Sequence, residues 1–219
     1  PAMKTELVKR GLKKKVIFIS NGIRTELYPL KSAISKKPRK LIHAGRLSYE
    51  KKTDILIYAF KQVLESIPDA KLTIVGAGPS LDSLKKLSEE LNISDKILFT
   101  GFVTHKQLVK YYQDSDIFLT ASPMETQGLV LLEAMSCGLP AIGVDRFAIP
   151  NVVHNGKNGF IAKGDYVKSI AKHSLELLNS PKLLAAMSKL AVKESKKHEL
   201  MKCVTQLEDI YKSLVKSKK

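Results

Sequence analysis

Residues 117–144 read IFLTASPMETQGLVLLEAMSCGLPAIGV, and this run decides the architecture. Ile117 to Thr120 is a short apolar run of the kind a buried strand needs, and Ala141 to Val144 is a second. Between them Gly128 opens a helical stretch that closes near Gly138-Leu139-Pro140. Strand, loop, helix and strand in that order form the repeating unit of a parallel sheet. Open sheets of this kind bind ligands beyond the carboxyl ends of their strands, which is where Ser122 to Gln127 would lie. Gly128 lets the backbone approach a ligand closely, and the amides of Gly128, Leu129 and Val130 are the unpaired donors of a helix start. A diphosphate fits such a site. Two acids frame it, with Glu125 on the loop and Glu133 roughly one and a half turns into the helix at about 3.6 residues per turn, so the pair need not share a helical face.

Outward from this unit the same alternation continues. Strands are predicted at Val16–Ser20, Leu41–Ala44, Leu72–Val75, Ile97–Thr100 and Gly159–Ile161, with helices between most of them and no internal repeat. The expected fold is α/β, a Rossmann-like doubly wound parallel sheet followed by a helical tail from Tyr166 to Val215. Thr104 and Gln107 read as a capping box, and Ser180-Pro181 as a cap followed by a first-turn proline. Leu41 to Ala44 runs into Gly45-Arg46, a turn that suits phosphate: glycine gives a tight exit, the arginine offers a planar fork of donors, and Lys51 adds a mobile charge. Gly76-Ala77-Gly78 ends another strand, but Leu81 stands where a dinucleotide fingerprint needs its third glycine, so no such cofactor is read from it. Asp114-Ser115-Asp116 looks like a metal-holding pair. It precedes its strand, at the end away from the ligand-binding rim, and reads as a helix-ending turn.

Glu125 and Glu133 with seven residues between them, then Ala134-Met135 and Gly138-Leu139-Pro140, resemble the signature of the retaining glycosyltransferases of the GT-B fold, group 1 (family 4) class. Gly45-Arg46-Leu47 followed by Glu50-Lys51, and Ser20-Asn21-Gly22-Ile23 as an interdomain linker, extend the likeness over nearly the whole chain. The resemblance implies that Arg46 and Lys51 grip the diphosphate and that Glu125 contacts hydroxyls of the donor sugar, the three catalytic candidates. It implies donor binding by Gly45, Gly76, Gly78, Gly128, Leu129, Val130 and Glu133, the last holding the ribose, with the backbone of Phe102 and Val103 reading the base. Four departures stand out. Lys52 replaces a usual glycine, which leaves the local backbone open; Ser20 and Arg24 differ from the family's linker; Asp145-Arg146-Phe147-Ala148-Ile149-Pro150-Asn151 stands where many members have a Gly-Gly-x-x-Glu segment; and Gln127 stands at a usual phenylalanine, resembling members that act on membrane lipids. The donor expected is a UDP-hexose, with GDP-mannose the other choice. A nucleotide-sugar epimerase of the same fold is the alternative enzyme. His43 lies inside a strand pattern and is expected to be a satisfied core histidine rather than an acid or base.

The likeness covers half of such an enzyme. Residues 1–15 are expected to be a tag remnant, Pro1-Ala2, and the lysine-rich end of an absent N-terminal acceptor domain; residues 16–219 are expected to be the donor-binding domain, binding donor but transferring poorly alone. A chain of 219 residues that is 44% hydrophobic can bury a substantial core. Two cysteines and no long apolar run point to the cytoplasm, and no metal-ligand spacing appears, so no cofactor is expected. Basic residues outnumber acidic ones by 37 to 21, a net charge of +16; lysine enrichment through codon bias or heat adaptation is the first reading of that excess, and attraction to the inner face of an anionic membrane the second. A nucleic-acid-binding module is the rival class. The scattered lysines, 6% aromatic content and absence of tryptophan argue against a nucleic-acid partner.

Overall fold

The structure, a computed structural model, describes residues 2–13 and 16–216. Pro1, Lys14, Lys15 and residues 217–219 lie outside the described residues, and with them part of the segment Lys4–Lys15 and most of the terminal lysine cluster. Six strands, β1 (Lys40–Ala44), β2 (Lys71–Val75), β3 (Ile97–Gly101), β4 (Ile117–Thr120), β5 (Ala141–Val144) and β6 (Gly159–Ala162), form one all-parallel sheet in the order β3-β2-β1-β4-β5-β6. Leu41 of β1 faces Leu72 on one side and Ile117 on the other. Every residue of β4, β5 and β6 is buried, because helices cover both faces of the sheet; this is why their sequences are continuous apolar runs and do not alternate. The order reverses between β1 and β4, so the chain departs from that point in opposite directions and leaves a crevice at the carboxyl ends.

The helices are α1 (Ala2–Lys9), α2 (Thr53–Ser66), α3 (Leu81–Glu90), α4 (His105–Gln113), α5 (Leu129–Ser136), α6 (Ile149–Val152), α7 (Tyr166–Leu178), α8 (Pro181–Ser195) and α9 (Leu200–Lys216). In α2, Leu56, Ile57, Phe60 and Val63 recur at three- and four-residue spacing and bury one face, packed beside α7. The predicted caps are present. Gln107 N–H donates to Thr104 Oγ1 while Thr104 N–H donates to Gln107 Oε1, and Leu183 N–H donates to Ser180 Oγ ahead of Pro181. Two short helices, α1 and α6, were not expected.

One expected strand is corrected. Val16–Ser20 has no regular structure, and Ile17 and Phe18 are about half exposed. An apolar run becomes a strand only where a sheet edge can receive it, and this run pairs with neither β3 nor β6, the two edges. The chain enters the fold just after it. Ile23 N–H donates to the His198 carbonyl at 2.8 Å and the Ile23 carbonyl accepts from Leu200 N–H at 2.9 Å, so the incoming segment is tied to the start of α9. Gly22, at φ 73°, is needed there because a Cβ would stand 2.8 Å from Leu200 Cα. Along α9, Leu207, Tyr211, Leu214 and Val215 leave an apolar stripe exposed.

Asp114-Ser115-Asp116 sits at the amino end of β4, as expected. Asp116 Oδ2 accepts the N–H groups of Arg39 at 2.8 Å and Lys40 at 2.9 Å, Oδ1 lies 3.9 Å from Lys31 Nζ, and that ammonium donates to the Ser115 carbonyl at 2.9 Å. Both side chains are almost fully buried, 4% and 8% exposed. Burial pushes the Lys31 ammonium below its ordinary pKa, and the Asp116 charge opposes that. The arrangement is an internal lock that joins residues 31, 39, 40 and 116 below the sheet's amino edge.

Candidate functional site

The crevice between β1 and β4 holds a cavity of about 370 Å³. It gathers Gly45, Arg46, Lys51, Glu125, Leu129 and Val130 from the sequence-predicted set, and adds His43 and Gln127. The turn after β1 that carries Gly45 and Arg46 is held by backbone bonds. Gly45 N–H donates to the Val75 carbonyl, Leu47 N–H to Ala77, and Ser80 N–H to Leu47. A Cβ on Gly76 would overlap the Gly45 carbonyl, and one on Gly78 would overlap the Leu47 carbonyl. These two glycines therefore let the turn after β2 dock on the turn after β1, which fixes where Arg46 leaves the chain. Gly76, Gly78 and Gly128 do not line the cavity, nor do Phe102, Val103 and Glu133. Phe102 stands fully out beyond β3, 87% exposed.

Lys51 closes a single 3₁₀ turn, Tyr49–Lys51, and Lys52 then takes the left-handed conformation at φ 52°, ψ 40°. The backbone that a glycine would give for nothing is thus adopted by a lysine, at a cost of about 1–2 kcal/mol. The Lys52 ammonium lies 3.5 Å over the Tyr49 ring, a contact that offsets part of it. Lys51 Nζ reaches Glu125 Oε2 at 3.2 Å. Glu125 Oε1 accepts from Gly128 N–H at 3.2 Å, and the Glu125 carbonyl accepts from Ala148 N–H at 2.9 Å. The expectation of three open amides at the helix start is revised by this bond. Gly128, the left-handed N-cap of α5, already gives its N–H to Glu125, while Leu129 and Val130 face the cavity as first residues of the helix, without intrahelical partners.

Glu133 lies inside α5 and is partly buried. Tyr112 Oη donates to its Oε2 at 3.4 Å, and Tyr28 hydrogen-bonds to it as well. Burial raises the Glu133 carboxyl above its ordinary pKa, and the two hydroxyls pull it back. Tyr28 and Tyr112 were not found by sequence reasoning. They come from the segment before β1 and from α4, and no spacing in the chain links them to Glu133. Beside Glu125, Phe147 holds φ 44° in the loop after β5, where the sequence departs from a glycine pair.

His43 is 2% exposed, at the end of β1. Its Nδ1 lies 2.9 Å from the Leu119 carbonyl, and burial lowers its pKa to about 4, so the ring is neutral. Among the described residues no group of three or more His, Cys, Asp or Glu could hold a metal ion. A larger groove of about 810 Å³ lies between Leu30–Ile34 and α8, near the amino end of β4. It is lined by apolar groups, two serines and lysines, with no acid.

Residues 24–194 match the family model described as glycosyl transferases group 1. The chain belongs to that family. It is 33% identical over 189 residues to N-acetyl-alpha-D-glucosaminyl L-malate synthase of Bacillus anthracis, covering 85% of this chain and 48% of that protein. It is 29% identical over 212 residues to alpha-monoglucosyldiacylglycerol synthase of Acholeplasma laidlawii, covering 95% of this chain and 52% of that protein. Among solved structures, the pneumococcal O-GlcNAc transferase GtfA in complex with UDP and GlcNAc superposes with a TM-score of 0.84 at 23% identity, over 98% of this chain and 44% of its own. The C-terminal domain of a group 1 glycosyl transferase from Francisella tularensis matches with a TM-score of 0.72 at 23% identity, over 80% of this chain and 97% of its own. The fold is that of one Rossmann-like domain of GT-B glycosyltransferases. The chain spans about half the length of the first curated relatives.

Proposed function

We propose that this chain is the donor-binding domain, residues 16–219, of a retaining hexosyltransferase that moves a sugar from a nucleoside diphosphate sugar, UDP-hexose before GDP-mannose, to an acceptor hydroxyl. The observation that carries the reading is the convergence of Arg46, Lys51, Glu125 and the start of α5 on one cavity at the point where strand order reverses. Arg46, Lys51 and the amides of Leu129 and Val130 would hold the diphosphate, where negative charge develops as the anomeric bond breaks, so electrostatics stabilises the leaving group without a protein nucleophile. Glu125 would meet sugar hydroxyls and Glu133 the ribose. Gly76 and Gly78 serve the donor by shaping the turn that carries Arg46, and the backbone at Phe102 and Val103 would read the base. The acceptor belongs to a second domain. The span of about half of the relatives' length supports it, as do the uncovered apolar groups Ile17, Phe18, Leu207 and Tyr211. A lipid-linked acceptor suits the +16 charge and the lysines Lys189 and Lys193 of α8 with Lys196 just beyond it, which would rest on an anionic membrane.

Thermal unfolding with UDP, GDP, UDP-glucose and GDP-mannose tests this. Ligand at about 100 times its dissociation constant adds roughly 2.7 kcal/mol. One base should raise the midpoint; Arg46→Ala should abolish the rise and Glu133→Gln should reduce it. A folded chain that responds to none of the four would refute the donor-domain reading.

A further inference from the structure

The cavity contains one buried polar atom with nothing to bind. His43 stands at the carboxyl end of β1, where the β1–β4 ladder stops after Ile42 and Phe118, and its ring reaches the carbonyl of Leu119 in β4. At 2.9 Å from a carbonyl oxygen, Nδ1 must carry the proton, because a bare nitrogen there would face another lone pair. Nε2 is then a pure acceptor. Among the described residues no donor reaches it, and it has no contact with solvent. It points toward the backbone of Gly45, 3.8 Å from where a Cβ on that glycine would be, and the ring is one of the walls of the cavity. Buried acceptors of this kind are costly unless something satisfies them.

The chemistry of that atom limits its partner. Phosphate oxygens are acceptors and would repel it, and the cations Arg46 and Lys51 already suit them. A hydroxyl would suit Nε2. Its surroundings select which hydroxyl: His43 feels the charges of Lys51 and Glu125, the diphosphate and sugar groups of the proposed site, whereas Glu133, the proposed ribose contact, is held by Tyr28 and Tyr112 outside this cavity. We propose that His43 is a specificity-determining residue whose Nε2 accepts a hydrogen bond from a hydroxyl of the transferred sugar. The inference rests on the donor-domain reading. It makes the sugar end of the site a pair of acceptors, one charged at Glu125 and one neutral at His43, that together favour a sugar presenting two hydroxyls toward β1 and β4.

The test compares calorimetric dissociation constants of UDP with UDP-glucose, and of GDP with GDP-mannose, for the wild-type chain, His43→Phe and His43→Gln, with melting curves to show that each variant is folded. His43→Phe keeps the ring's bulk and removes the acceptor; His43→Gln keeps an acceptor. For the nucleotide that binds, His43→Phe should weaken the sugar nucleotide about tenfold and change the free diphosphate less than twofold, and His43→Gln should recover most of the loss. The ring ¹⁵N resonance of Nε2 should move when the sugar nucleotide is added and stay in place with the diphosphate alone. Equal weakening of both ligands by His43→Phe, or an Nε2 resonance that neither ligand moves, overturns the role given to His43 while leaving the donor site intact. Failure of the wild-type chain to bind any of the four overturns the donor-domain reading and this inference with it.

Discussion

Two lysine–carboxylate pairs lie at opposite ends of β4, and they differ in what surrounds them. At the amino end, Lys31 and Asp116 are nearly sealed from water, and the remaining capacity of both groups goes to the Arg39 and Lys40 amides and the Ser115 carbonyl. At the carboxyl end, Lys51 and Glu125 are 26% and 15% exposed and border an open cavity. The first pair is complete within the fold and has nothing to offer a ligand. The second keeps donors and acceptors facing space, which is the condition of a site. Identical charges thus serve as a lock in one place and as a grip in the other, and the local count of partners decides which.

The largest expected effect breaks the lock. Asp116→Ala leaves the Lys31 charge buried and two amides unpaired, and should cost about 3–5 kcal/mol in urea unfolding while leaving the nucleotide affinity of the folded fraction unchanged. Lys51→Ala should do the reverse, losing about 10- to 100-fold in nucleotide affinity by calorimetry and less than about 1 kcal/mol of stability. Equal stability losses in the two variants would erase the distinction between the ends. Glu133 sharpens it as an acid of intermediate burial. Its pKa is raised in the fold, so the stability it contributes is present below the carboxyl's unfolded pKa and is lost as pH rises through the folded value. Glu133→Gln should therefore raise the melting point at neutral pH, flatten the rise in stability on acidification and still weaken nucleotide binding. The smallest effect concerns the turn that carries Lys51. Lys52→Gly relieves the left-handed strain but loses the Tyr49 contact, for a net gain of up to about 1 kcal/mol, read as a rise in melting temperature.

The sheet was legible because its strands are covered on both faces, so that Ile117–Thr120 and Ala141–Val144 had to be apolar throughout. Val16–Ser20 has the same kind of composition and is no strand, since composition cannot say whether an edge is available. Arg46, Lys51 and Glu125 were found by their local pattern and meet in space. What stayed hidden depends on distant partners. Leu119 is 76 residues from His43 and fixes its tautomer; Tyr28 and Tyr112 enclose Glu133; and the acid at Glu125 claims the Gly128 amide, which looked open to a ligand. Gly76 and Gly78 were visible as glycines, but the carbonyls of Gly45 and Leu47 that forbid a side chain belong to another loop.

The bridge that ties Ile23 to His198 and Leu200 brings the entry of the unit spanning residues 23–199 and its exit into α9 to one spot. A unit whose ends are neighbours behaves as a cassette. It can be set into a surface loop of an unrelated host without stretching either junction, or reopened at an exposed turn such as Asp95-Lys96 after its original ends are joined by a few residues, and the sheet with its crevice would travel intact.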